Sequence, residues 1–128
     1  QTIRNLKEFQ KNKPPHSKLF SYQTDTGKKE INSNDINHYL QDFGDYTSKN
    51  LRTWRANMIL IEHLLKNLSL KDSILQVADK LHNTSSVCKQ NYLDPKLIQF
   101  YELNSKDFIQ YFQKNITQKY ISFLKRKY

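Results

Sequence analysis

Two glycines and three prolines are all that punctuate 128 residues. Tight turns draw heavily on those two residue types, so this chain has few places to fold back as hairpins and must build most of its core from helices. The apolar residues agree, recurring at three and four as one face of a helix requires. The spacing predicts the longest helix after Thr47 or Ser48 as cap, with Leu51, Trp54, Met58, Ile61, Leu64 and Leu65 on its buried stripe. Ser69 and Asp72 have capping-box spacing at the head of the next helix, whose inner face is Ile74, Val77 and Leu81. Thr84 can cap a short helix that leads to Tyr92, and Pro95 suits the first position of another running through Leu103. Ser105 caps the last, where Phe108, Tyr111, Phe112, Ile116, Tyr120 and Phe123 repeat at helical spacing.

Upstream of Thr47 the pattern is more mixed. Ile3, Leu6 and Phe9 have helical spacing over 2–11, and Pro14-Pro15 stops whatever forms there. Leu19 to Gln23 reads as a short strand, Asp25-Thr26-Gly27 as a turn, and Lys28 to Ile31 as the returning strand. Ser33 then caps a helix with Ile36, Tyr39, Leu40 and Phe43 inward, ended by Gly44. The expectation is a mainly α fold of five or six helices with one small β-hairpin near residues 19–31.

Composition bounds the function. Lys and Arg number 21 against 12 Asp and Glu, a net charge of +9 with a pI near 9.6. Such an excess suits a protein that holds a polyanion, because each neutralised phosphate releases a counterion. It also suits a soluble protein whose charge merely keeps it dispersed. No run of eighteen apolar residues appears, and no signal-peptide pattern. The single cysteine, Cys88, has no internal partner, which favours a reducing, intracellular compartment. There is no Gly-rich phosphate loop, no His/Cys cluster at zinc spacing and no carboxylate pair for two-metal chemistry, so no cofactor is expected.

Two segments carry chemistry. In Lys49-Asn50-Leu51-Arg52-Thr53-Trp54, Arg52 falls in the first turn of the long helix, where free N–H groups and the dipole already favour an anion. A guanidinium there can take two non-bridging phosphate oxygens at once and stays charged as a phosphorane-like state forms. A lone arginine is more commonly an exposed salt-bridge partner, and a lone tyrosine among eight is more commonly core. The second segment is Leu81-His82-Asn83-Thr84-Ser85-Ser86-Val87-Cys88-Lys89-Gln90-Asn91-Tyr92, followed by an Asp94-Pro95 break. A tyrosine phenol titrates near pH ~10, so a nucleophilic tyrosine needs a cationic pocket or a proton acceptor.

Together the two segments resemble the arginine and nucleophile motifs of type IB DNA topoisomerases, in the poxvirus and bacterial branch. Those enzymes carry K-D-(F/L)-R-T-(W/Y), from which this chain departs with Asn50 in place of Asp. Bacterial members read L-G-N-T-P-x-V-(C/S)-(R/K)-x-x-Y, and poxvirus members have His where these have Asn. On that pattern Tyr92 is the nucleophile, Arg52 an anion-hole cation and Asn83 the donor to a non-bridging oxygen. His82 stands where the family has glycine, a position that can call for a left-handed residue. Lys49, Arg55 and Lys89 are expected on DNA phosphates, Trp54 in the core, and Lys125-Arg126-Lys127 at a solvated end.

The resemblance implies a 3′-phosphotyrosyl intermediate, relaxation of duplex DNA by strand rotation, and religation without ATP or metal, by a monomer. It covers essentially residues 1–128, including LFSYQTDTGKKEINSNDINHYL before the arginine motif, but only the C-terminal part of the family's catalytic domain. A second arginine and a general-acid lysine lie upstream of that part. With Gln1 at its start, the chain reads as an excised piece that binds DNA weakly and cleaves it hardly at all alone. Two other readings stay open. Tyrosine recombinases share the fold and the chemistry, but carry H-x-x-R where this chain has Lys49 to Arg52 and L-G-H at Leu81 to Asn83. A basic, non-catalytic helical module would be indifferent to Tyr92→Phe.

Overall fold

A computed structural model describes residues 2–11, 13–14 and 18–126. Its elements are α1 (Thr2–Gln10), β1 (Ser21–Thr24), β2 (Gly27–Glu30), α2 (Ser33–Gln41), α3 (Ser48–Leu65), α4 (Leu70–Lys80), α5 (Ser85–Asn91), α6 (Pro95–Leu103), α7 (Ser105–Phe112) and α8 (Ile116–Lys125). The mainly α chain with one hairpin is what the breaker-poor sequence requires. These elements fall into two units, Gln1–Ser48 and Lys49–Tyr128.

In the first unit β1 and β2 pair antiparallel, with Ser21 opposite Glu30 and Thr24 opposite Gly27 around an Asp25-Thr26 loop. Gly27 has φ +122, a value side chains resist, so the turn needs it. The cap of α2 is Asn32 rather than Ser33. Its side chain accepts from the Asn34 and Asp35 amides, while the Asp35 carboxylate accepts from the Asn32 amide, a reciprocal capping box. The helix ends at Gln41, before the expected Gly44.

The expected inner face of α2 is not buried. Ile36, Tyr39 and Phe43 are 48, 62 and 67% exposed, and none of the unit's described residues is buried. Periodicity decides which side residues share, but burial needs a second apolar surface, and none closes over this one among the unit's described residues. The side chains of Ile3, Leu6 and Phe9, and the whole of Pro15, lie outside the described residues.

The second unit holds the core. Ala56, Met58 to Ile61 and Leu64 of α3 pack with Ile74, Val77 and Ala78 of α4, with Leu97 and Ile98 of α6, and with Phe108, Phe112, Tyr120 and Phe123 of α7 and α8. Each fully buried side chain of this size contributes roughly 1.5–3 kcal/mol. Phe100 stacks on Phe123 at 6.0 Å and lies 5.5 Å from Phe108, joining the last three helices through one aromatic cluster. Leu51, expected on the α3 stripe, is half exposed. The first turn of α3 runs outside the core, so the buried stripe begins only near Trp54, whose ring lies 5.1 Å from that of Tyr120. The single helix expected after Ser105 is two, because Asn115 sits left-handed (φ +54) and caps α8 by accepting from the Gln118 amide. Asn104, not Ser105, caps α7. Ser69, Thr84 and Pro95 hold their expected places, with Asp94 as the α6 cap.

Candidate active site

The site is assembled where α3 begins and where α4 and α5 end. Helix α4 stops in a Schellman turn: the Asn83 amide bonds the Ala78 carbonyl at 2.9 Å and the His82 amide bonds that of Asp79 at 3.0 Å. The turn needs a left-handed residue at position 82, and His82 supplies it at φ +54. A histidine there is strained relative to glycine, yet the backbone expected of a glycine is kept. The exposed His82 imidazole takes no part in the turn's hydrogen bonds.

Arg52 reaches this turn from α3. The helix starts at Ser48, so Arg52 opens its second turn rather than lying in its first. Side chains lean toward a helix N-terminus, which still carries the guanidinium back beyond the core. Its anchor is the negative end of α4 rather than the positive end of α3. Nη2 donates to the Leu81 carbonyl at 2.8 Å, satisfying an orphan acceptor at that helix end. The same guanidinium lies 5.3 Å from the centroid of the Tyr92 ring, within cation–π range. A guanidinium has five N–H donors, so one bond to Leu81 leaves the others for a ligand.

Tyr92 ends α5 as its C-cap (φ −127, ψ −24), its amide bonded to the Cys88 carbonyl. The side chain is half-buried against the core and lines a cleft of about 310 Å³ with Asn50, Thr53, Trp54, Asn91 and Tyr120 among others. Cys88 is fully buried, and burial pushes its thiol pKa up. Asn83 adds an unused donor: its Nδ2 is buried and has no hydrogen-bond partner among the described residues. A buried amide donor left so costs about 1–3 kcal/mol, a cost that a bound acceptor would remove.

The remaining cations are less convergent. Lys49 lies three residues before Arg52 on α3 and is exposed. Arg55 is also exposed, with Nη1 3.3 Å from Glu62 Oε1, so part of its charge is already met on its own helix. Lys89 lines a different groove, with Leu70, Lys71, Ile74, Leu75 and Ser85. Asn57 was not singled out in the sequence. Its Nδ2 donates to the Thr53 and Tyr92 carbonyls, and its Oδ1 accepts from the Asp94 amide, each at 2.8 Å. A signal existed: Asn57 is four and seven residues before Ile61 and Leu64, a polar side chain on the core face of an apolar helix.

Compared with known proteins, residues 1–118 match the family model described as eukaryotic DNA topoisomerase I, catalytic core. No curated protein and no solved structure matches the chain. No helix among the described residues is long and apolar enough to cross a membrane.

Proposed function

The chain belongs to the family of the eukaryotic DNA topoisomerase I catalytic core, a type IB isomerase that acts on DNA, and from that premise we propose that Tyr92 is its nucleophile and Arg52 and Asn83 its phosphate-binding groups. One observation carries this reading. The Arg52 guanidinium touches both the turn that presents Asn83 and the ring of Tyr92. A phosphodiester brought to Tyr92 would meet the Arg52 cation, and the unpartnered Asn83 amide belongs to the turn whose Leu81 carbonyl anchors that cation. Tyr92 Oη attacks phosphorus as its proton departs, the P–O5′ bond breaks, and the 5′-oxygen takes up a proton. One ester replaces another, so the same groups run the reaction backward to reseal the strand. Fixed donors aimed at the developing charge act more strongly in this half-buried setting than in water.

Lys49, Arg55 and Lys89 are proposed on flanking phosphates; the exposure of all three supports this, while the Glu62 pairing makes Arg55 the weakest of them. A second arginine and a general-acid lysine are proposed to come from a segment upstream of this C-terminal part. One chain supplying Arg52, Asn83 and Tyr92 favours a monomer. The nine-residue separation of Asn83 and Tyr92 (92 − 83), with Asn at the phosphate position, favours the compact poxvirus and bacterial branch. In that branch Asn83→His keeps cleavage, and its loss would count against the assignment.

The test is suicide-substrate trapping with this chain joined to its upstream segment, in EDTA and without ATP. A covalent DNA adduct is expected, and Tyr92→Phe abolishes it. An adduct that survives Tyr92→Phe overturns the nucleophile. Strand exchange between paired sites in place of relaxation would favour the recombinase reading.

A further inference from the structure

We propose that Asn57 is the positioning residue of the Tyr92 nucleophile, a role that rests on Tyr92 being that nucleophile. Asn57 is fully buried between apolar neighbours, Ala56 and Met58 to Ile61. A leucine has the same number and branching of side-chain heavy atoms and would suit such surroundings without a polar group to satisfy. The amide instead uses both donors and an acceptor, and two of its three bonds leave α3 altogether. They go to the Tyr92 carbonyl and the Asp94 amide, on either side of Leu93.

At that junction the regular helical bonds stop, with the Tyr92 and Leu93 amides both turned back to the Cys88 carbonyl. Tyr92 ends α5 and Asp94 caps α6, so no helical ladder runs through the residues between them. The Tyr92 carbonyl and the Asp94 amide are groups that helix ends leave unpaired. Asn57 bridges them as a short strut and fixes the base from which the tyrosine ring projects. Arg52 stands five residues earlier on the same helix (57 − 52) and lies over that ring. Helix α3 thus holds the nucleophile by its backbone with one side chain and faces its ring with another. The distance between Oη and the phosphate-binding cation is set within the protein, before DNA arrives. Displacements near 1 Å at a reacting atom can cost about 100-fold in rate.

The experiment compares Asn57→Leu, Asn57→Ser and Leu60→Ala in the chain joined to its upstream segment. Duplex affinity and single-turnover cleavage and religation rates are measured well below each melting temperature. Leu60 is a fully buried apolar residue of the same helix whose side chain can make no hydrogen bond to the Tyr92–Asp94 backbone, so its truncation lowers stability without removing the strut. Expected is a cleavage rate lowered roughly 30- to 100-fold in Asn57→Leu, with religation slowed alike, affinity within about twofold of the parent, and Leu60→Ala rates unchanged. Asn57→Ser, whose smaller side chain a water can complete, is expected between the two and serves if Asn57→Leu is too unstable to assay. Parent-like rates in a folded Asn57 variant, a matching loss in Leu60→Ala, or a loss confined to affinity overturns the role. So does failure of both Asn57 variants to fold, which would assign the residue to stability alone. Tyr92→Phe in the parent separates the two readings: an adduct retained there removes the nucleophile, not the strut.

Discussion

Helix α2 and helix α3 have the same kind of apolar periodicity and opposite fates. Ile36, Tyr39 and Phe43 of the first unit stay largely exposed, whereas Ile59 to Ile61 and Leu64 of the second are buried under α4, α6, α7 and α8. The stripe on a helix fixes which side wants burial; it does not supply the opposing surface. The second unit contributes that surface many times over, and it is the unit that holds Arg52, Asn83 and Tyr92. The candidate site therefore stands on a packed core, at the rim where the first turn of α3 leaves it.

The largest effect that would sharpen this contrast is chemical. Arg52→Ala should lower single-turnover cleavage by about 10²–10³-fold, and Arg52→Lys should recover little, because an ammonium cannot reproduce a guanidinium spread between the Leu81 carbonyl and a phosphate. Lys29→Ala, in the exposed hairpin of the first unit, should leave the rate near the parent. Equal losses from the two would dissolve the distinction between the units. Next comes stability: Phe108→Ala, which empties a fully buried site, should cost about 3–5 kcal/mol. Phe43→Ala, at 67% exposure, should stay within about 0.5 kcal/mol. Denaturant titration measures both, and a large loss at Phe43 would mean that its face is covered after all.

The smallest effect is a pH dependence. Burial, then Lys80 and Lys66, holds His63 below its ordinary pKa of 6.5, against opposing pulls from Glu62 and the Ser73 backbone. The folded state then binds this proton less readily than the unfolded chain. Stability should be level above pH 6.5, fall as pH drops from there through the lowered folded value, and level off beneath it. His63→Gln should flatten that part of a melting-temperature profile between pH 7 and 5. An unchanged slope would mean that His63 is not held neutral by the fold.

Much of this was legible in the sequence. Residues whose local chemistry decides their structure were read well: Ser69 and Thr84 as caps, Pro95 at a helix start, Gly27 in the turn, and position 82 as left-handed. Where two capping residues adjoin, the cap is one residue earlier than expected, Asn32 before Ser33 and Asn104 before Ser105; the larger departures depend on partners far along the chain. Nothing local distinguishes the exposed Leu51 from the buried Ile61, or the exposed Phe43 from the buried Phe108. The break at Asn115 was hidden because its flanking aromatics keep helical spacing across it, although asparagine is the residue most ready to adopt that backbone. For the candidate site, Arg52, Asn83 and Tyr92 are proposed from the resemblance, and the structure adds their geometry. Asn57 was passed over because a single polar residue inside an apolar run carries no motif. Only its contacts with Tyr92 and Asp94, 35 and 37 positions away, explain it.

The measurement closest to the central claim is chemical mapping of the covalent linkage. The trapped protein–DNA complex would be digested with nuclease and protease, and the peptide bearing the residual nucleotide sequenced by mass spectrometry. Eight tyrosines are available. The account predicts the nucleotide on Tyr92 alone, attached through a 3′-phosphate; a linkage to any other tyrosine, or through a 5′-phosphate, would contradict it.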